Sequence, residues 1–125
     1  MSRLVKTLTI CTAAMLLGSI PAAAAPPKAS AAGKCRVGSS ETRKLGASYV
    51  TKLSTRRVTC PNAKGLVKRY HRCRSRNGGK KGRCGGLEGF RCEERRYNRI
   101  DISFDANVLC RKGSKRVRHT YTQLT

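Results

Sequence analysis

The chain has 125 residues, of which 28 are Lys or Arg and only 6 are Asp or Glu, giving a formal net charge of +22 at pH 7. A chain of this length holds one domain with a small core, and domains of that size commonly need covalent help to stay folded. A charge so large repels itself and draws in polyanions, which bears on association and leaves the fold open.

The first residues, Met1 to Lys6, carry Arg3 and Lys6, and an apolar stretch follows from Leu8 to Ile20. Pro21-Ala22-Ala23-Ala24-Ala25 then supplies small residues for processing, so residues 1–24 read as a secretory signal peptide, with cleavage after Ala24 favoured and a later cut near Ala31 as the alternative. The apolar stretch is too short to span a bilayer, and none follows it, so no transmembrane segment is expected. Cys11 lies inside the signal and is discarded with it. Cleavage removes Arg3 and Lys6 and no acid, which leaves +20 from +22. Residues 25–34 lack any large apolar side chain and read as a flexible leader, so residues 35–125 are expected to form the single domain.

That domain holds Cys35, Cys60, Cys73, Cys84, Cys92 and Cys110. An even set of cysteines in an exported chain predicts three disulfides. No Cys-x-x-Cys pair or Cys/His spacing of the zinc type occurs, so no metal site and no cofactor are expected. Sequence alone leaves the pairing open among fifteen arrangements. The Gly-rich stretch between Cys73 and Cys84 closes easily and favours that pair.

Thr59 precedes Cys60-Pro61, and Ala63, Leu66, Val67, Tyr70 and Cys73 recur at helical spacing, which predicts an amphipathic helix over about 60–73 with Thr59 as N-cap. Lys64, Lys68 and Arg72, with His71 beside them, form a basic stripe on its flank. From Arg74 to Gly89 the chain is polar and rich in Gly, Lys and Arg, and reads as a mobile cationic loop. Phe90, Cys92 and Glu94 alternate with Arg91, Glu93 and Arg95 in a short strand. Ile100, Ile102, Phe104, Ala106, Val108 and Cys110 then occupy alternate positions, predicting a strand with all six facing the core. A Lys112-Gly113-Ser114 turn leads to Val117, His119 and Tyr121 on one side and Arg116, Arg118 and Thr120 on the other, a hairpin partner. A further strand is expected over 48–53. The sum is an α+β domain, one helix on an antiparallel sheet of three or four strands. Cys60 and Cys73 fall on or near the buried helix face and Cys92 and Cys110 point inward from the sheet, so helix-to-sheet staples are expected.

The runs Val58-Thr59-Cys60, His71-Arg72-Cys73, Gly89-Phe90-Arg91-Cys92, Asp105-Ala106-Asn107-Val108-Leu109-Cys110-Arg111-Lys112-Gly113 and Val117-Arg118-His119-Thr120-Tyr121-Thr122-Gln123 resemble small secreted cysteine-containing proteins of actinobacteria. The similarity covers residues 45–123 and implies export and a shared fold, but no activity or site residue.

Three kinds of chemistry are weighed on this frame. His71 and His119 suggest the acid and base of an extracellular ribonuclease, but His119 is in phase with Val117 and Tyr121 and reads as a core-edge residue, and His71 reads as part of the charged helix flank. Glu88, Glu93 and Glu94 suggest a glycosidase, but Arg91, Arg95 and Arg96 beside them favour ion pairing. No enzyme is expected. The remaining reading is a secreted, monomeric, cationic domain that binds an anionic polymer: a cell-wall polymer, a polysaccharide or a nucleic acid. Candidate contacts are Lys64, Lys68 and Arg72 on the helix and Arg111, Lys112, Lys115, Arg116 and Arg118 around the hairpin, with Arg116 and Arg118 about 7 Å apart on one strand face. The alternative is a protein–protein module such as a hydrolase inhibitor, presenting the 74–89 loop. Action on anionic membranes lacks a strongly hydrophobic helix face.

Overall fold

Alternation and helical spacing in this sequence produce six strands and one helix in the computed structural model, which describes residues 32–125. The expected signal peptide and most of the expected leader lie outside the described residues. The elements in chain order are β1 (Gly33–Cys35), β2 (Tyr49–Arg56), α1 (Cys60–Arg76), a 3-10 turn (Gly79–Lys81), β3 (Gly86–Leu87), β4 (Phe90–Ile100), β5 (Ser103–Lys112) and β6 (Lys115–Leu124). The strands form one antiparallel sheet in the order β1-β2-β6-β5-β4-β3, and α1 packs on one face of it.

The α+β class and the single helix stand as expected, but the sheet has six strands rather than three or four. The two extra strands are β1 and β3, three and two residues long, too short for a period-two pattern to show. Gly33 and Lys34, expected in the leader, belong to β1.

Thr59 stands at the N-cap with extended backbone, and its carbonyl accepts from Ala63 N–H at 2.9 Å, while its side chain makes no cap bond. Pro61 sits in the first turn, where a missing N–H leaves no bond unmade. The helix runs one turn further than its large apolar residues require, to Arg76, because its buried face continues through His71 and Arg74. His71 is therefore interior and not on the charged flank: the inward arc is wider than the apolar residues alone mark out.

The strand expected from Ile100 onward is also corrected. Asp101 and Ile102 form a two-residue turn between β4 and β5, and Ile100 and Ile102 are 64% and 68% exposed. Phe104, Ala106, Val108 and Cys110 face the core as read. β4, expected to be short, spans eleven residues.

The three disulfides are Cys35–Cys60, Cys73–Cys84 and Cys92–Cys110. The pair favoured across the Gly-rich stretch forms. Cys92 and Cys110, expected to staple the sheet to the helix, instead face each other across β4 and β5. Among the described residues, only Cys35–Cys60 links a strand to α1.

What fastens the helix to the middle of the sheet is a buried charge cluster. Glu94, on the inward side of β4, has 3% of its side chain exposed. Tyr70 Oη of α1 donates to its Oε2 at 2.6 Å and Tyr121 Oη of β6 to the same oxygen at 2.9 Å. Arg96 pairs with Oε1, and Arg74 Nε lies 3.4 Å from Oε2. Burial, reinforced by Glu94, raises the Tyr70 phenol, and burial likewise raises Tyr121, so both remain protonated donors.

The two guanidinium groups also collect backbone carbonyls. Arg74 donates to Lys80 O at 2.7 Å and Gly82 O at 3.2 Å, and Arg96 to Lys81 O at 2.9 Å and Gly82 O at 2.6 Å. Gly82 is required there, since a Cβ would stand 2.0 Å from Arg74 O. The segment expected to be a mobile loop is thus tied to the core by its own main chain.

His71 and His119 lie against this cluster, each 1% exposed, with ring centroids 5.2 Å apart. Arg74 Nη1 stands 2.8 Å from His71 Nδ1; a guanidinium only donates, so Nδ1 accepts and Nε2 carries the proton. His71 Nε2 and both nitrogens of His119 have no hydrogen-bond partner. Burial first, then His119 and Arg74, holds the His71 pKa down to about 2, and burial, then Arg74, holds His119 down to about 3.

Two predictions follow from the interior. Glu94→Gln leaves two buried guanidinium groups without a carboxylate and is expected to cost about 3–5 kcal/mol, read from urea unfolding at pH 7; a loss under 1 kcal/mol would contradict the role given to Glu94. The histidines act on pH dependence. The unfolded chain protonates them near pH 6.5 while the folded chain does not until about pH 3 or below, so their contribution falls as pH drops from about 6.5. Each adds a slope of about 1.4 kcal/mol per pH unit between roughly pH 6 and 5. His119→Phe should remove one such increment, measured as the change in unfolding free energy across that interval.

Candidate functional site

The helix covers only one face of the sheet. Val117, His119 and Tyr121 of β6 point toward it, so Arg116, Arg118, Thr120 and Thr122 point away, and the same alternation holds on β2, β4 and β5. The outward side carries eight exposed cations: Lys34, Lys52, Arg56, Arg91, Arg95, Arg111, Arg116 and Arg118. The acids there are Glu93 and Asp105. The Asp105 carboxylate accepts from Asn98 and Thr122, and these two bonds hold its pKa below the usual range.

Register brings four of these arginines into one line. Arg91 of β4 lies opposite Arg111 of β5, Arg111 opposite Arg116 of β6, and Arg116 opposite Arg56 of β2. Adjacent strands stand about 4.8 Å apart, so the row crosses roughly 14 Å of sheet. The neighbouring row adds Arg118 and Lys34, separated by Ser54. Three depressions of about 320, 430 and 530 Å³ open on this face, and Arg118 lines all three.

Like charges directly opposite each other destabilise a sheet. The five ion pairs among the described residues use Lys64, Arg69, Arg74, Arg83 and Arg96 as cations. None of the eight cations of the open face is among them. Glu93 shares the depression of about 530 Å³ with Arg111 and Arg118 but forms no ion pair with the row. The row thus offers a concentrated, solvent-facing set of planar donors suited to phosphate, sulfate or carboxylate groups.

The residues singled out from the sequence divide. Arg111, Arg116 and Arg118 come together on the open face. Lys112 turns toward Glu88, donating to its carbonyl at 2.9 Å and lying 5.7 Å from the Phe90 ring. Lys115 borders a depression of about 270 Å³ beside the start of α1. Lys64 pairs with Glu41 at 2.7 Å, an interaction that lowers the Glu41 pKa. Lys68 and Arg72 are exposed on the helix, across the sheet from the open face. Gly113, at φ 56, makes the tight β5–β6 turn that sets Arg111 opposite Arg116.

Arg56, Lys52 and Lys34 were not singled out from the sequence. Arg91 and Arg95, expected to pair with the glutamates, form no ion pair, because they project to the open face while Glu94 points inward. Their phase against buried neighbours was the available signal for Arg91 and Arg95, which flank Cys92 and Glu94. Of the three glutamates, Glu94 pairs with Arg96, Arg74 and Arg83, and Glu88 with Arg69 rather than with an adjacent residue, Nη2 to Oε2 at 3.1 Å. Both histidines of the ribonuclease reading lie inside the core.

Comparison with known protein families, with curated proteins and with solved structures finds no match for this chain.

Because the row opposes folding, Arg116→Thr is expected to stabilise the domain by about 0.5 kcal/mol at low salt, with the gain shrinking as salt rises. A urea titration at two ionic strengths checks this; destabilisation would mean that Arg116 has a structural partner.

Proposed function

We propose that this chain is an exported, disulfide-braced, non-catalytic domain that binds anionic polymers of the cell envelope or its surroundings through the uncovered face of its sheet. Three disulfides and the absence, among the described residues, of any helix long and apolar enough to cross a membrane agree with an extracellular setting. The observation that carries the reading is the row Arg91-Arg111-Arg116-Arg56, four arginines without an ion-pair partner on four adjacent strands.

A polymer laid across the strands meets successive guanidinium groups, while the open face carries one exposed aromatic, Tyr97, at its far end. Recognition therefore runs through the charged backbone of the polymer and not through stacked bases. The field of a strongly cationic domain also speeds capture at low ionic strength.

The test uses oxidised protein lacking residues 1–24, passed over heparin, nucleic acid and cell-wall material in a salt gradient. For a single-stranded oligonucleotide, four phosphate contacts give a slope of log K against log salt of about −3. Arg111→Gln/Arg116→Gln should make that slope shallower by about 1.4, while Lys68→Gln/Arg72→Gln leaves it unchanged. Elution of the wild type from all three supports at low salt, or equal effects of the two double variants, sinks the proposal.

A further inference from the structure

The exposed large apolar side chains among the described residues are Tyr97, Ile100, Ile102 and Leu124, at 38%, 64%, 68% and 44% exposure. All four lie at one end of the sheet. Ile100 pairs with Ser103 and Ser103 with Leu124, and Tyr97 pairs with Asp105, which places Tyr97, Ile100 and Leu124 on the same face as the arginine row. Ile102 is in the turn beside them, where its carbonyl accepts from Thr125 N–H at 2.9 Å. Along β4, Tyr97 stands six residues, about 20 Å, from Arg91, and Ile100 stands nine residues from it.

One face thus carries two unpartnered features: a block of cations at the β5–β6 turn end and an apolar hairpin tip at the other. A soluble polyanion uses the first and leaves the second in water. An anionic bilayer surface uses both, because headgroup phosphates meet the cations while the tip enters the boundary between headgroups and acyl chains. We infer that the anionic partner of this face is a membrane surface, on which the sheet lies with Ile100 and Ile102 inserted and Arg91, Arg111 and Arg116 on the headgroups. This rests on the proposal that the open face binds anions and adds the partner.

The details agree with a shallow, interfacial seat. Arg95 is exposed on the same face two residues before Tyr97, where its long side chain can reach headgroup phosphates. Tyr97 is of the type favoured at the membrane–water boundary. Asp101, at the apex of the turn, carries a charge that stays at headgroup level and so limits penetration to the interface. The apolar tip and the arginine row lie at opposite ends of one face, so a planar surface meets both.

The test compares binding to phosphatidylcholine vesicles, to vesicles containing about one-third phosphatidylglycerol, and to heparin. The wild type should favour the anionic vesicles at least tenfold. Ile100→Ser/Ile102→Ser should lower vesicle affinity about tenfold and leave heparin affinity and the urea midpoint unchanged, since both side chains are already exposed. Arg111→Gln/Arg116→Gln should weaken both ligands. Unchanged vesicle binding by the isoleucine variant overturns the inference. So does a wild type that binds heparin but not vesicles, and in that case polymer binding stands. A wild type that binds neither overturns both.

Discussion

Glu94 is the one carboxylate in the interior, and helix, loop and sheet all meet at its two oxygens. Tyr70 comes from α1, Tyr121 from β6, Arg96 from β4 itself and Arg74 from the last turn of α1. Through Arg74 and Arg96 the network continues to the carbonyls of residues 80–82. A buried ion group of this kind does not guarantee stability, but it makes alternatives costly, because any shift of the helix strands a guanidinium or a phenol without its acceptor. The aromatic layer around it supports the same geometry: the Arg74 guanidinium lies 4.5 Å from the Tyr121 ring and that of Arg96 lies 4.3 Å from the Phe104 ring.

Two sets of cations in this protein have opposite physics. Those inside are matched to a carboxylate and to backbone acceptors, and they specify the structure. Those on the open face are aligned with one another, so they oppose it. Three disulfides restrict the unfolded chain and so offset part of that repulsion. The strain of the outer face is then relieved when anions neutralise it, which connects the covalent bracing to the proposed binding.

Much of the local structure was legible in the residues themselves. β5 and β6 are long, alternate strictly and are joined by a Gly113 turn, so their inward residues could be named one by one. The helix was legible from Ala63, Leu66, Val67 and Tyr70. Reading failed where a residue type and its setting disagree. His71 looks like a member of a polar flank and Arg74 like the start of a loop, yet both are buried. The His71 ring packs on those of His119 and Tyr121, and Arg74 meets Glu94 and the carbonyls of Lys80 and Gly82. Ile100 and Ile102 continue the apolar alternation into β5, yet a turn interrupts it and leaves them in water.

Composition, parity of cysteines and short-range periodicity determined charge, bracing, the helix and the inward face of β5 and β6, because these depend on residues close together in the chain. Which residues stand opposite one another was decided by the tertiary structure alone. Arg56 and Arg91 join Arg111 and Arg116 only through the strand order β2-β6-β5-β4 and through irregularities at Val50/Lys52 and Tyr97/Ile100 that reset the register. A one-residue slip would turn a strand's side chains to the other face. The extension of the row to Arg56 and Arg91, the Cys92–Cys110 pairing and the sharing of one face by the row and the apolar tip are consequences of that long-range choice, which no local pattern encodes.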